Sequence, residues 1–400
     1  MSRSIAILTS FMAAAFLLAA CEVEQVSPDE NADGRDTVIA EAAFRADVVS
    51  ERVESEDATF QIVRVASGLE RPWGLEFLPD GRMLVTERPG RMSIVDGGDV
   101  APLSGLPEIG PVGQGGLLDV RLHPDYETNG WIYFAYSDPG DGGVGTAIAR
   151  ARLDGTELTD LETLYSMEPK TGAGAHFGSR ILFLGDGTFL FTIGDRGQPD
   201  RAQDTMDPAG STLRLTDDGN IPEDNPFVGQ DGYLPELYTV GNRNSQGMAI
   251  HPGTGAVWQT EHGPRGGDEL NLIRAGENYG WPEATWGRDY RTRAQIGVTP
   301  DEAPQFVAPV THWTPAIAPS GTTFYTGDQF PGWRGSLFVG SLSREALIRV
   351  VLDGEEVQRY EQLLDGQIGR IRYVTQGPDG YLYLLQDDPD GGIYRLEPAE

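Results

Sequence analysis

The sequence contains very little cysteine and very little lysine. Cys21 is the single cysteine among 400 residues, so no disulfide can form within the chain. Lys170 is the single lysine, and arginine therefore carries nearly all of the positive charge. Acidic residues outnumber basic ones and give a formal net charge of -31. This charge argues against nucleic acid and against an anionic membrane surface as partners, and it favours solubility.

Motifs for nucleotide binding and for serine hydrolysis are also missing. The glycine-rich run at residues 113–116 lacks the glycine spacing of a dinucleotide fingerprint, and no glycine-rich loop ends in Lys-Ser or Lys-Thr. Residues 243–247 resemble a nucleophile elbow, but Arg243 stands where that motif requires glycine. We therefore expect no nicotinamide, ATP or serine-hydrolase site.

Residues 1–21 have the pattern of a lipoprotein-type signal peptide. Arg3 precedes an apolar run over residues 5–20, and this run is too short for a comfortable membrane span. The run ends in Leu-Ala-Ala before Cys21, which resembles a lipobox, so we expect Cys21 to be lipidated. An ordinary signal peptide with a chance cysteine is the alternative. We expect the protein to be exported to the periplasm and to meet a membrane only through this N-terminal lipid anchor.

The remaining chain divides into a tether and one β-rich domain. Residues 22–58 are acidic with little apolar periodicity, which predicts a flexible tether. Residues 59–400 hold six copies of a strand–turn–strand unit, the first at residues 73–95, at intervals of roughly 45 to 75 residues. This pattern predicts an all-β, six-bladed β-propeller, closed by a strand at residues 392–396 that joins the blade begun by the other terminus. An open β-sandwich is the alternative.

Two polar residues precede predicted inner strands and are expected at one mouth of the propeller channel. His176 follows a run of small residues, and its imidazole can take a proton from a hydroxyl at neutral pH. Gln114 occupies the same kind of place one blade earlier and can hydrogen-bond a substrate. His123 and His251 each precede a proline in a blade turn, so we expect turn roles for them.

Two pairs of side chains predict an anion-binding site. Arg243 and Asn244 place a planar cation beside a planar amide, which suits a carboxylate or quinone edge. Arg370 and Arg372 alternate along a strand, so they share one face, and the sequence shows no obvious acidic partner for them. A solvated strand face and ordinary loops are the alternatives.

The turn at Gly263 and Pro264 has the oxygen-rich character of a calcium site. The turn frees backbone carbonyls, and the carboxylates of Glu261, Asp268 and Glu269 lie close in sequence. Calcium is a hard cation that prefers carboxylate and carbonyl oxygens as ligands. An ordinary loop between strands is again the alternative.

Several short motifs together resemble one known family. They are residues 113–118 (GQGGLL), 176–180 (HFGSR), 193–195 (IGD), 241–244 (GNRN), 261–264 (EHGP), 268–271 (DELN), 278–282 (NYGWP), 318–320 (APS) and 369–372 (GRIR). In this order they resemble the soluble glucose/sorbosone dehydrogenase family, and within it the aldose sugar dehydrogenases that depend on pyrroloquinoline quinone (PQQ). The resemblance covers about residues 60–398.

The resemblance implies a six-bladed propeller that oxidises aldose sugars at the anomeric carbon to lactones. PQQ and Ca²⁺ would be the cofactors, and a soluble or quinone acceptor would take the electrons. His176 would be the general base. The implied sugar-binding residues are Gln114 and Arg243, and the implied PQQ contacts are Arg243, Asn244, Tyr290, Arg370 and Arg372. The implied calcium ligands are the Gly263 and Pro264 carbonyls at the active site, and Glu269, the Tyr279 backbone and Asp289 at a second, structural site.

Two positions depart from the family pattern. Ser343 stands where the family tends to have a cofactor-contacting lysine, and Arg344 is the candidate to replace it. Ala175 stands where the glucose-specific branch has an acidic residue, which favours a broad range of aldoses. The alternatives in other functional classes are a non-enzymatic binding propeller and a calcium-dependent sugar lactonase. Neither alternative explains why so many arginines accompany His176.

Overall fold

The regular structure is almost entirely β-strand. The computed structural model describes residues 47–399, and its helices over that range are one α-helical turn and three 3-10 turns. These are Tyr126–Asn129, Pro199–Gln203, Pro300–Glu302 and Pro331–Trp333. Within this range no helix has the length and apolar character needed to cross a membrane. The all-β prediction is confirmed.

The strands form six antiparallel sheets. The chain begins with β1 (Asp47–Glu54) and β2 (Thr59–Leu69). Blade 1 holds β3 (Pro72–Phe77), β4 (Met83–Glu87), β5 (Arg91–Asp96) and β6 (Asp99–Pro102). Blade 2 holds β7 (Leu117–Leu122), β8 (Trp131–Gly140), β9 (Gly143–Asp154) and β10 (Glu157–Ser166). Blade 3 holds β11 (Ile181–Phe183), β12 (Thr188–Ile193), β13 (Ser211–Thr216) and β14 (Leu237–Thr239).

The second half of the ring repeats the arrangement. Blade 4 holds β15 (Ser245–Ile250), β16 (Val257–Glu261), β17 (Asp268–Ile273) and β18 (Thr311–Trp313). Blade 5 holds β19 (Pro319–Phe324), β20 (Leu337–Ser341), β21 (Ala346–Asp353) and β22 (Glu356–Leu363). Blade 6 combines β23 (Ile371–Gln376), β24 (Leu382–Gln386) and β25 (Gly391–Pro398) with β2 and β1. The six-bladed propeller is confirmed.

Blade 6 closes the ring by pairing the two ends of the domain. Strand β25 runs antiparallel to β2, with Ile62 opposite Leu396 and Phe60 opposite Pro398. Phe60 then packs edge-on against Trp333 of the neighbouring blade, with ring centroids 5.3 Å apart. The predicted closing strand at residues 392–396 therefore lies where the sequence placed it. Backbone pairing between distant parts of the chain holds the ring shut.

Strand β1 differs from the sequence-based prediction. Residues 47–54 fall within the range 22–58 predicted as a tether, yet they form the outer strand of blade 6. Most of their side chains are exposed and only Val53 is buried. An outer strand pairs through its backbone on one side and so needs no apolar alternation, which is why the pattern missed it. The signal peptide, Cys21 and the rest of the tether lie outside the described residues and stay predictions.

The first strand of each blade lines the central channel. Strands β3, β7, β11, β15, β19 and β23 contact one another in a closed ring. They run in the same direction because every blade starts at the channel. Residues that precede these strands therefore meet at one end of the channel, called the N-terminal mouth below. Arg180, directly before β11, is fully buried and pairs with Asp119 on β7 at 2.7 Å.

A buried arginine ties the β1–β2 turn to blade 5. Arg349 on β21 is 2 % exposed and lies 2.6 Å from the Asp57 carboxylate in that turn. It also contacts Glu361 on β22, at 3.3 Å. Replacing Arg349 by methionine leaves both carboxylates without this partner. We expect the free energy of unfolding to fall by about 3 kcal/mol, the lower end of the cost of breaking a buried pair, because Asp57 still reaches water. Denaturant unfolding of Arg349→Met checks this, and an unchanged midpoint would contradict it.

Candidate active site

His176 and Asp195 form a hydrogen-bonded pair at the N-terminal mouth. His176 precedes β11 and Asp195 follows β12, and His176 Nδ1 lies 2.5 Å from Asp195 Oδ1. The other carboxylate oxygen, Oδ2, accepts a hydrogen bond from Trp281 Nε1 at 2.8 Å. Burial opposes ionisation of Asp195, but its hydrogen bond and charge interaction with His176, together with the charge of Arg243, keep the pKa of this carboxyl below its ordinary value.

The pair fixes the tautomer of the neutral imidazole. An ionised carboxylate can only accept hydrogen bonds, so Nδ1 of His176 carries a hydrogen, and in the neutral ring Nε2 is then the nitrogen with the lone pair. The side chain of His176 is 15 % exposed and that of Asp195 is 1 % exposed. Such a pair suits proton abstraction from a hydroxyl. Sequence reasoning selected His176 but gave no role to Asp195, whose only signal was its place in a glycine-rich motif after a strand.

Gln114 lies directly beside His176. The backbone N–H of His176 donates to Gln114 Oε1 at 2.9 Å, and the backbone N–H of Gln114 donates to the Gly174 carbonyl at 2.8 Å. The Gln114 NH₂ group is left to donate elsewhere. The structure thus brings together the two residues that the sequence placed at the channel mouth. His123 and His251 instead accept backbone N–H groups of their own turns, as predicted.

Two adjoining spaces open at the N-terminal mouth. The arginine cleft, of ≈160 Å³, is lined by Trp73, Arg88, Gln114, Gln246, His262, Ala318, Leu342, Arg370 and Arg372. The outer pocket, of ≈560 Å³, is lined by His262, Gly263, Pro264, Arg265, Gly266, Asp268, Arg288, Tyr290, Thr314, Pro315, Ala316, Ala318 and Ser343. His262 and Ala318 line both, so the two spaces are adjacent. Tyr290 borders the outer pocket and is 62 % exposed. Its contact with the cofactor stays a prediction.

Arg370 and Arg372 share an acidic partner, so the expectation that they have none is wrong. Asp387 Oδ2 lies 2.9 Å from Nη2 of each arginine, and Asp387 Oδ1 lies 3.3 Å from Arg71. Burial opposes ionisation of Asp387, but Arg372 and Arg370 hold its pKa far below the ordinary value. Asp387 directly follows β24, which pairs with the strand that carries Arg372. That neighbour across the sheet cannot be read from local sequence.

Positive charge nevertheless exceeds negative charge in the arginine cleft. A single carboxylate, Asp387, serves Arg71, Arg370 and Arg372, and within residues 47–399 no carboxylate lies within ion-pair distance of Arg88. The Nε of Arg372 is buried and makes no hydrogen bond with the described residues. Burial and the charges of Arg71 and Arg370 lower the pKa of Arg88. The cleft therefore suits a ligand with several negative charges.

Arg243 and Asn244 line neither the arginine cleft nor the outer pocket, but both contact loops beside these spaces. Arg243 Nη1 donates to the carbonyls of His262 at 2.9 Å and Gly263 at 2.8 Å. Asn244 Oδ1 accepts the backbone N–H of Gly178 at 3.1 Å. The Asn244 side chain is buried, and its Nδ2 donates to no protein group in the part of the chain that the structure describes. An amide with a free donor, oriented by its oxygen, fits the predicted role in holding a polar ligand.

A very small acidic cavity lies behind this mouth. It measures ≈10 Å³ and is lined by Arg243, Glu261, Gly263, Gly267, Glu269, Tyr279, Trp281, Ala284 and Thr285. Burial raises the pKa of Glu261 to about 7, and burial with the nearby charge of Glu261 raises that of Glu269 well above its ordinary value. Glu261 accepts hydrogen bonds from Asn242 and Arg243, and Glu269 accepts one from Asn271, but the two buried carboxylates still repel each other, so a cation between them would be favourable. Glu269 and Tyr279, two of the residues predicted for the structural calcium site, line this cavity, and Gly263 from the other predicted site lines it as well.

The side chains of the acidic cavity are not sufficient by themselves to bind a metal ion. No group of three or more His, Cys, Asp or Glu side chains is arranged to hold a metal within residues 47–399. A metal here would need backbone carbonyls as well, which fits calcium better than a transition metal. Pro264 borders the outer pocket rather than the acidic cavity. Gly263 borders both spaces, and its carbonyl accepts a hydrogen bond from Arg243, so the separate calcium predicted at Gly263 and Pro264 stays a prediction.

Asp289 does not join the predicted calcium site. Its Oδ1 accepts hydrogen bonds from the backbone N–H of Thr292 at 2.6 Å and from the Thr292 hydroxyl at 2.7 Å. The carboxylate is exposed and does not line the acidic cavity. The reason is local, because an aspartate at the start of a turn satisfies the backbone two or three residues later. We therefore remove Asp289 from the predicted ligands.

Arg344 does not replace the lysine expected at position 343. Ser343 borders the outer pocket, and its hydroxyl donates to the Ala316 carbonyl at 3.1 Å. Arg344 instead lines a different cavity of ≈640 Å³, together with Trp313 and Tyr360. Adjacent residues in a β-turn point in different directions, so sequence proximity was a poor guide. Two other arginines, Arg265 and Arg288, border the outer pocket.

Comparison with known proteins agrees with this geometry. Residues 69–395 match the family model described as Glucose / Sorbosone dehydrogenase. The chain is 42% identical over 351 residues to the aldose sugar dehydrogenase of Escherichia coli, which covers 85% of this chain and 94% of the relative. The apo crystal structure of the soluble aldose sugar dehydrogenase from Escherichia coli superposes with a TM-score of 0.82 at 40% identity, over 85% of this chain and 99% of that one.

A PQQ-bound structure is also similar to the chain. It is the aldose sugar dehydrogenase of Streptomyces coelicolor, with a TM-score of 0.70 and 30% identity over 84% of this chain and 96% of that one. Fold, matched length and sequence identity therefore agree with one another. The chain belongs to the glucose/sorbosone dehydrogenase family.

Proposed function

We propose that this protein oxidises aldose sugars at the anomeric carbon to lactones, with PQQ and Ca²⁺ as cofactors. The observation that carries the proposal is the excess of arginine charge in the cleft that Gln114 shares, beside the His176–Asp195 pair. PQQ is a planar tricarboxylate, so its binding calls for several cations. The PQQ-bound relative and the family support the same reading.

The residues present fit both cofactors. Arg370, Arg372, Arg243 and Asn244 would hold PQQ, because they offer charged donors and one free amide donor at the mouth. Tyr290 would lie against it in the outer pocket. The Gly263 and Pro264 carbonyls would bind the active-site calcium, whereas Glu269 and the Tyr279 backbone would bind a second one in the acidic cavity. When bound, PQQ supplies a two-electron hydride acceptor and calcium supplies a Lewis acid.

The protein's own part in the reaction is to position the sugar and move one proton. Nε2 of His176 would accept the proton of the anomeric hydroxyl while the hydride leaves the same carbon. Asp195 stabilises the imidazolium that forms, because it stays ionised and hydrogen-bonded to Nδ1. Gln114 would donate a hydrogen bond from its free NH₂ group to a sugar hydroxyl. Arg243 would donate a second hydrogen bond to the sugar. The electrons would then pass to a soluble or quinone acceptor.

Two other functions compete with this proposal. A non-enzymatic binding propeller would need no proton acceptor, so it does not account for the His176–Asp195 pair. A calcium-dependent sugar lactonase would use the acidic cavity or the mouth carbonyls but has no need for Arg88, Arg370 and Arg372 around one cleft. The cation excess therefore favours the dehydrogenase.

The function is tested by adding PQQ and Ca²⁺ to the purified apo-protein and following reduction of a redox dye by several aldoses. We expect sugar-dependent reduction only when both cofactors are present. His176→Ala should lower kcat by about 10³-fold, the usual range for a lost general base, while PQQ absorbance shows that the cofactor still binds.

The matched control for this test is His251→Ala. His251 lies in a turn after β15, at the opposite end of that inner strand from the mouth, so its loss should leave kcat unchanged. No bound PQQ and no sugar-dependent reduction in the unaltered protein would refute the dehydrogenase proposal. Hydrolysis of a sugar lactone without PQQ would favour the lactonase instead.

Calcium binding in the acidic cavity is tested by thermal unfolding of the apo-protein. At about 100 times its Kd, Ca²⁺ should add about 2.7 kcal/mol, which raises the unfolding midpoint of a domain of this length by about 3 to 4 °C. Glu269→Gln should lose most of this gain, and a chelator should reverse it in the unaltered protein. Glu162→Gln, at a side chain 50 % exposed on β10, serves as the control and should keep the gain. An equal gain in Glu269→Gln would contradict the assignment.

A further inference from the structure

Arg196, which follows Asp195, is a buried cation without an acidic partner. It is fully buried, and over residues 47–399 no carboxylate lies within ion-pair distance of it. Burial and the charge of Arg201 lower its pKa to about 10, so it remains protonated near neutral pH. Burying an unpaired charge costs free energy unless its hydrogen bonds compensate. The contacts of Arg196 should therefore reveal why an arginine is present here.

Those contacts all go to the segment that carries His176. Arg196 Nη1 donates to the carbonyl of Ala175 at 2.5 Å, and Nη2 donates to that of Ala173 at 2.6 Å. The guanidinium also lies over the ring of Phe177, 3.5 Å from its centroid. Its Nε is buried and donates to none of the described residues. The two donors of Arg196 thus hold the segment before His176, and the face of its guanidinium contacts Phe177 directly after it.

The segment adopts a conformation that needs such support. His176 has φ of +53° and Arg196 has φ of +57°, both in the left-handed region. A non-glycine residue there costs roughly 1 kcal/mol or more and persists only when its surroundings impose it. The backbone of Gly194 packs so closely that a Cβ there would lie 2.3 Å from the His176 carbonyl. The position of His176 is therefore imposed by the residues around Asp195.

We propose that Arg196 is a positioning residue for His176. By holding the Ala173 and Ala175 carbonyls, it keeps the imidazole in place for its hydrogen bond with Asp195, and it acts only through His176. The role rests on the proposed function, in which His176 accepts the sugar's proton. Lysine would retain the charge but lacks the planar fork that reaches two carbonyls at once. Methionine would fill similar space with neither charge nor donors.

Arg196→Met and Arg196→Lys test the proposal, with Arg349→Met as a matched control. Arg349 is also a buried arginine but lies on β21 in blade 5. We expect Arg196→Met to lower kcat by about 100-fold, as a displaced catalytic group does, while KM for the sugar changes by less than about threefold. Arg196→Lys should recover part of the loss. Arg349→Met should keep its kcat despite its lower stability.

A second measurement separates positioning from activity. The chain has 5 histidines, so ¹H–¹⁵N spectra of the imidazole rings can be assigned by substitution. In the unaltered protein and in Arg349→Met, His176 should show one signal set with hydrogen on Nδ1. In Arg196→Met it should show mixed tautomers. This readout needs no PQQ, so it remains decisive even if the unaltered protein proves inactive and the proposed function fails.

The proposal is overturned if folded Arg196→Met keeps kcat within about threefold and gives an unchanged His176 spectrum. In that case Arg196 only fills space. If Arg196→Met does not fold, Arg196→Lys decides. An unaltered kcat and spectrum with lysine would show that the two-carbonyl fork is not needed.

Discussion

The hydrogen bond between His176 and Asp195 is the interaction on which the rest of the site depends. It joins a loop before blade 3 to the end of that blade's second strand, and Asp195 extends it to Trp281 beyond blade 4's third strand. The contact with Trp281 requires blades 3 and 4 at fixed positions in the ring. The pairing of β2 with β25 is therefore part of the active-site architecture, because it brings Arg370 and Arg372 to the mouth that holds His176.

Two opposite charge imbalances lie next to each other at this mouth. The arginine cleft has more cations than Asp387 can balance, and the acidic cavity has two buried carboxylates with raised pKa. Arg243 lines the acidic cavity and donates to the carbonyl of Gly263, which borders both this cavity and the outer pocket. A folded protein retains such imbalances when a ligand completes them. A tricarboxylate and a calcium ion would each complete one.

Local sequence was sufficient to predict the repeated strands and turns. It was insufficient to predict contacts between residues on neighbouring strands. Turn residues and apolar runs predicted six meanders and the closing strand, and motif resemblance selected His176, Gln114, Arg243 and Asn244. Asp387 and β1 were missed because their partners lie on neighbouring strands. Asp289 and Arg344 were misplaced because turn geometry turned each away from the expected site. The roles of Asp195 and Arg196 could be identified only from the structure, since these roles consist of contacts with His176 and the residues around it.

The central claim is that the cation excess of the arginine cleft binds a planar polycarboxylate. Titration of the apo-protein with PQQ, followed by absorbance at low and moderate ionic strength, tests it most directly. We predict one PQQ per chain, affinity that weakens with salt, and at least about tenfold weaker binding in Arg372→Met, the value of one charge-assisted hydrogen bond. Equal affinity in Arg372→Met, or no binding by the unaltered protein, would contradict the account.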